Sequence, residues 1–148
     1  MTRHTHAALP QMLEGDPAQG ENMMSRGPLE RAGYLLLALP FILGGWEAAH
    51  NPDYRVEQAA AAGVPKPEMA VRTNGIIMVI AGLALAAGRR PRWAAAMLAL
   101  VLIPTTLTGH AFWKETDPRK REGQLAHMLK NLSMLGALMG VLAGSLKG

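Results

Sequence analysis

The chain contains no cysteine in its 148 residues, so disulfides, iron–sulfur clusters and thiolate catalysis are excluded. Acidic side chains are outnumbered, 11 Asp and Glu against 15 Lys and Arg, and the formal net charge is +4. The basic residues do not form an amphipathic face of the kind that grips nucleic acid. They lie in short loops beside apolar segments, where anionic headgroups hold cations, and no nucleic-acid partner is expected. Also missing is any apolar run in residues 1–30, which are rich in Gly, Pro, Gln, Asn and charge. Glu14, Asp16 and Glu21 stand where a signal peptide needs its apolar region. Such a segment cannot bury enough apolar surface to fold alone. Residues 1–30 are therefore expected to be a polar arm, disordered or ordered against a partner subunit.

What the chain does have is four apolar stretches after residue 31, separated by short charged loops. A span from about Ala32 to Glu47, extended toward Asn51, carries Tyr34 and Trp46 at its ends as aromatic anchors. Pro40 frees the Leu36 carbonyl, and with Gly44 and Gly45 it predicts a bend. Asn51-Pro52-Asp53 reads as a stop and an N-cap for a short interfacial helix through Ala59–Ala62, ended by Gly63. Pro67 suits the first turn of a second span that runs to about Gly88, with Glu68 in its favourable N-terminal turn.

Arg89-Arg90-Pro91-Arg92 makes a tight basic turn into a third span, Trp93 to Trp113, which at 1.5 Å per residue reaches roughly 30 Å. Pro104 frees the Leu100 carbonyl, and the hydroxyls of Thr105, Thr106 and Thr108 are expected to compensate. After a polar loop, Asp117-Pro118 predicts an N-cap and first helical residue outside the membrane. That last helix enters the bilayer near Leu125 and ends close to Ser145. Gly136, Gly140 and Gly144 form a small-residue stripe on it, suited to close helix packing within the bundle or against another chain. The fold class is all-α: an integral membrane antiparallel four-helix bundle with a short interfacial helix between spans 1 and 2. The charge of the shortest loop favours both termini on the cytoplasmic side.

Four-pass topology brings the polar residues near the spans to one membrane face. Glu47 and His50 end the first span, Arg72 and Asn74 begin the second, and Thr106 and His110 lie near the end of the third. His127, Lys130 and Asn131 begin the fourth. Glu47 with Arg72 or Lys130 would make a charge-neutralising pair, because ionisable groups in spans are usually paired or functional. Two readings follow. The residues mark the interface, with Arg72 and Lys130 snorkelling, or they line a polar pocket for a quinone headgroup, a small acid or a proton chain. In the second case Glu47 and His110 are the candidate catalytic residues, with Asn131 as a further hydrogen-bond donor. No motif fixes an imidazole pair from His50, His110 or His127 on one haem iron. Zinc is less suited still, and the ten Met residues read as packing rather than copper ligands, so no metal site is expected.

Several motifs resemble those of a known family. They are Phe41-Ile42-Leu43-Gly44-Gly45-Trp46-Glu47, Gly63-Val64-Pro65, a Gly-rich second span closing on Gly88-Arg89-Arg90-Pro91-Arg92, and His110-Ala111-Phe112-Trp113. Lys130-Asn131-Leu132-Ser133-Met134-Leu135-Gly136 then opens the fourth span. Together they resemble the DoxX family of small four-helix membrane proteins over roughly residues 28 to 146, with one departure: Met128 stands where the family's Phe precedes the Lys-Asn-Leu motif. The family takes its name from a resemblance to a subunit of an archaeal terminal quinol oxidase, and members are associated with membrane oxidoreductase assemblies that handle oxidative stress. The resemblance implies a multi-pass protein of a prokaryotic inner membrane and transfers no catalytic residues. The expected role is an accessory or scaffolding subunit of a membrane redox or energy-converting complex, gripping other membrane subunits through residues 1–30. The alternative is an oxidoreductase component that binds quinone non-covalently. A small-solute carrier is disfavoured, because no internal repeat is visible.

Overall fold

The computed structural model describes residues 27–109, 113 and 115–144. Five helices follow one another: α1 (Pro28–His50), α2 (Asp53–Ala61), α3 (Pro67–Ala86), α4 (Pro91–Gly109) and α5 (Pro118–Gly144). All but α2 are long and apolar enough to cross a membrane. No strand occurs among the described residues. This agrees with hydrocarbon as solvent, where a helix satisfies its backbone groups internally. Each span packs on the next, α1 on α3, α3 on α4 and α4 on α5, while α2 lies against α3 and α4.

Helix ends follow local chemistry. Asp117 caps α5, its Oδ1 accepting from the backbone N–H of Arg119 at 2.9 Å and of Lys120 at 3.3 Å. Pro67 opens α3 and Glu68 lies in its first turn, as the sequence predicts. Gly63 and Gly88, at φ +78° and +65°, close α2 and α3. Each sits where the chain must turn left-handed to return N–H groups to the last carbonyls: Val64 N to Ala59 O, and Arg89 N to Ala84 O.

Some expectations are corrected. The first span begins four residues before Ala32, at Pro28, because Pro is preorganised for a first helical turn. Residues 28–30 of the expected polar arm are therefore helical, and residues 1–26 lie outside those described. Pro52, not Asp53, occupies the N-cap of α2, and Asp53 lies in the first turn instead. The threonine hydroxyls on α4 leave the Leu100 carbonyl aside and bond those of Val101, Leu102 and Pro104, each four residues back along its own helix.

The α1–α3 contact is the tightest among the described residues. Ala38, Phe41, Gly45 and Ala48 are buried on α1, opposite Gly75, Met78, Gly82 and Leu85 on α3. Both sets step along their helices by three or four residues, one stripe per helix. A Cβ at Gly45 would come within 2.6 Å of the Gly75 carbonyl oxygen, and one at Gly75 within 2.6 Å of the Gly45 oxygen. Only glycine permits that backbone approach, which brings van der Waals contact where lipid offers no hydrophobic drive. Ala95, Leu98 and Leu102 of α4 continue the core, and Leu138 of α5 is fully buried in it.

Helix α5 is held lightly; Asn131 and Leu138 are its buried residues. Glycines on α5 do not pack inside the bundle: Cβ atoms built at Gly136, Gly140 and Gly144 meet nothing within 4 Å. Close packing resides instead in Gly45, Gly75 and Gly82. Gly140→Ala should therefore leave the thermal stability of the purified chain unchanged, or raise it by up to about 1 kcal/mol through helix propensity. Destabilisation in a detergent melting curve would mean that α5 packs through this stripe.

Candidate functional site

Three spans meet in a polar layer at matching depth. Asn74 lies 12 residues from the end of α3 at Ala86, Thr105 and Thr106 lie 14 and 15 from the start of α4 at Pro91, and Asn131 lies 13 from the end of α5 at Gly144. At 1.5 Å per residue each is about 20 Å from the end of the bundle that carries the Arg89–Arg92 turn. In a hydrocarbon core of about 30 Å the layer sits a third of the way in from the opposite face.

The layer is built from amides and hydroxyls. Asn74 Nδ2 donates to Thr105 Oγ1 at 3.0 Å, joining α3 to α4. Asn131 Nδ2 donates to Thr106 Oγ1 at 3.1 Å, joining α5 to α4. Thr105 and Thr106 pass their own protons to Val101 O and Leu102 O, each at 2.7 Å. Adjacent threonines on one helix point about 100° apart, which is how α4 reaches a partner on each side. Thr106 and Asn131 are buried, at 7% and 6% exposure. Amides and hydroxyls at this depth hold helices in register. They do not ionise near neutral pH.

The charged candidates behave differently. Arg72 does not pair with Glu47. Its Nε bonds Glu68 one turn earlier on α3 at 3.0 Å, and its Nη1 donates to Ala49 O at 2.5 Å, tying the end of α1 to α3. The nearby acid on its own helix wins because an i, i+4 pair requires no loop to be ordered first. Glu47 is exposed and accepts from Asn51 Nδ2 at 3.5 Å. His50, also exposed, stacks on Trp46 with ring centroids 3.8 Å apart and donates its Nδ1–H to the Trp46 carbonyl at 3.0 Å. His127 and Lys130 are exposed on α5. His110 lies outside the described residues. The structure thus joins Thr106 to Asn131 and Asn74 to Thr105, and leaves Glu47, His50, His127 and Lys130 on the outer surface.

Arg55 on α2 has no distinguishing sequence signal, since a basic residue on an interfacial helix reads only as an interfacial cation. Its guanidinium lies 4.5 Å from the centroid of the Tyr54 ring. Its Nη1 is the one buried side-chain nitrogen or oxygen without a hydrogen-bond partner among the described residues. No local pattern reports that burial, which comes from α2 folding back on α3 and α4.

Among curated proteins and among solved structures, nothing matches this chain. A family match does exist, to DoxX over residues 33–111, which begins inside α1, runs through α4 and stops short of α5. The Lys130-Asn131-Leu132 motif falls outside it. With more than half of its length matched, and with four apolar helices able to span a bilayer, this multi-pass membrane protein belongs to the DoxX family.

Proposed function

We propose that the chain is an accessory subunit of a membrane redox or energy-converting complex, in keeping with the association of DoxX proteins with membrane oxidoreductase functions. The observation that carries this reading is the division of the polar residues. The buried ones, Asn131 and Thr106, are neutral and occupied with each other. The ionisable ones, Glu47, His50, His127 and Lys130, face outward, where a partner or headgroups can meet them. A chain whose buried amides and hydroxyls serve helix registry, and whose Glu47, His50, His127 and Lys130 lie outside, is suited to being held in a larger assembly. Partner contacts are assigned to the polar segment before α1.

The test is a mild-detergent pull-down of the tagged chain from native membranes, with mass spectrometry and an optical spectrum of the eluate. Stoichiometric co-purification of larger oxidoreductase subunits is expected, falling at least tenfold when residues 1–26 are deleted. This truncation leaves α1 whole. A lone chain carrying bound quinone would overturn the reading in favour of a quinone-binding oxidoreductase component. Loss of its quinone-linked turnover in Glu47→Gln and His110→Ala would then identify the site.

A further inference from the structure

The two ends of the bundle differ in charge. Helices α3 and α4 are joined by four residues, 87–90. The backbone there is pinned from both sides: Gly88 N and Arg89 N bond Leu85 O and Ala84 O, each at 2.9 Å, and Ala94 N bonds Arg90 O at 3.1 Å. Arg90 is itself left-handed, at φ +46°. From this short, fixed link Arg89, Arg90 and Arg92 all project into exposed positions. Glu30 is the one acidic residue at this end among the described residues, and it accepts a hydrogen bond from Tyr34 Oη at 2.8 Å. Trp93, next to the turn, is 72% exposed. An exposed indole at the end of a span belongs at the level of lipid headgroups. The opposite end also has a basic triplet, Arg119-Lys120-Arg121, but Glu122 follows it directly, Asp117 lies two residues before it, and Arg72 there is bonded to Glu68.

We propose that the Arg89–Arg92 turn is a binding site for the phosphate of an anionic phospholipid. Guanidinium forks match phosphate oxygens in pairs, and three of them on a link of fixed conformation lose little freedom on binding. The Trp93 indole supplies the apolar contact beside the headgroup. A phosphate ester with an attached acyl chain is favoured over free phosphate because the turn sits at the membrane surface, where local anionic lipid is concentrated. The site is independent of the polar layer and of any role in a larger complex.

The experiment is native mass spectrometry of the full chain in neutral detergent, titrated with phosphatidylglycerol or phosphatidylcholine. Phosphatidylglycerol should be retained about tenfold more strongly than phosphatidylcholine. Arg89→Gln/Arg90→Gln/Arg92→Gln should abolish that preference, and Arg119→Gln/Lys120→Gln/Arg121→Gln should keep it. Where the turn variant does not fold, Arg89→Gln/Arg92→Gln preserves the residue at the left-handed position and should lose most of the preference. The proposal is overturned if the turn variants keep the preference or if the opposite triplet removes it equally. Full displacement of the lipid by millimolar inorganic phosphate would make this a free-anion site and overturn the lipid assignment.

Discussion

Gly75→Val will force α1 away from α3 and lower the melting temperature of the purified protein by about 10 °C or more. The reason is the close approach of two backbones. Even a single added carbon at Gly75 would lie 2.6 Å from the Gly45 carbonyl oxygen, 2.9 Å from Ala49 N and 3.1 Å from Ala48 Cβ. Two of those three atoms are backbone, so no rotamer change relieves the clash. Overpacking typically costs about 1–3 kcal/mol where side chains can yield, and more where they cannot. The displacement also lengthens the contact between Arg72 and the Ala49 carbonyl, which lies beside the same crossing. The expected result in size-exclusion chromatography after heating is loss of the monodisperse peak at temperatures the native protein survives, by 10 °C or more. Gly44→Ala is the control one position from Gly45, since its Cβ would meet only the flexible end of Met78 at 3.8 Å. Equal melting of the Gly75→Val and native proteins would show that α1 and α3 do not meet as described.

Thr106→Val gives the second large effect. Valine fits the same volume and removes the acceptor of Asn131 Nδ2, leaving a buried amide donor unsatisfied. An orphaned buried donor costs about 1–3 kcal/mol, although interhelical hydrogen bonds in membranes average nearer about 0.6 kcal/mol because partners are found elsewhere. The double variant Thr106→Val/Asn131→Leu removes both polar groups and should recover most of the loss. That inequality is the sharp part of the prediction. Reversible unfolding in mixed micelles measures it, and a double variant less stable than Thr106→Val alone would refute the pairing. Asn131→Leu by itself should cost less than Thr106→Val, because the Thr106 hydroxyl still bonds Leu102 O.

The spans could be read directly because hydropathy over some twenty residues is a requirement of the solvent, independent of neighbours. Helix stops were legible for a similar reason. Gly63 and Gly88 end helices through their own backbone freedom, and Asp117 caps α5 through atoms two and three residues away. Packing faces were not legible in the same way. A helix that crosses a bilayer is apolar on all sides, so the contrast that reveals the buried face of a soluble helix is absent. The three glycines of α5 are more regular than Gly45, Gly75 and Gly82, yet the irregular set makes the contacts. The seven-residue step from Gly75 to Gly82, two turns on one face, was the available signal. Of the polar residues, Thr106 and Asn131 could be named individually, but their bond spans 25 positions and depends on how α5 is rotated against α4. Pairing by charge alone misled for Glu47 and Arg72, since it ignored both Glu68 on the same helix and the carbonyl of Ala49.

The attachment of α5 has a mechanical consequence. Its two buried residues, Asn131 and Leu138, are seven apart and so lie along one line of the helix surface. A cylinder touching its neighbour along a line can roll. Met134, Leu135, Val141 and Leu142 flank that line, partly buried against the core, and apolar contacts of this kind carry no direction. Rolling does not leave Asn131 unchanged, because its amide would turn from Thr106 into hydrocarbon. The Asn131–Thr106 hydrogen bond, which is directional, therefore helps to set the azimuth of a 27-residue helix, and with it which residues of α5 face the lipid and which face any neighbouring protein.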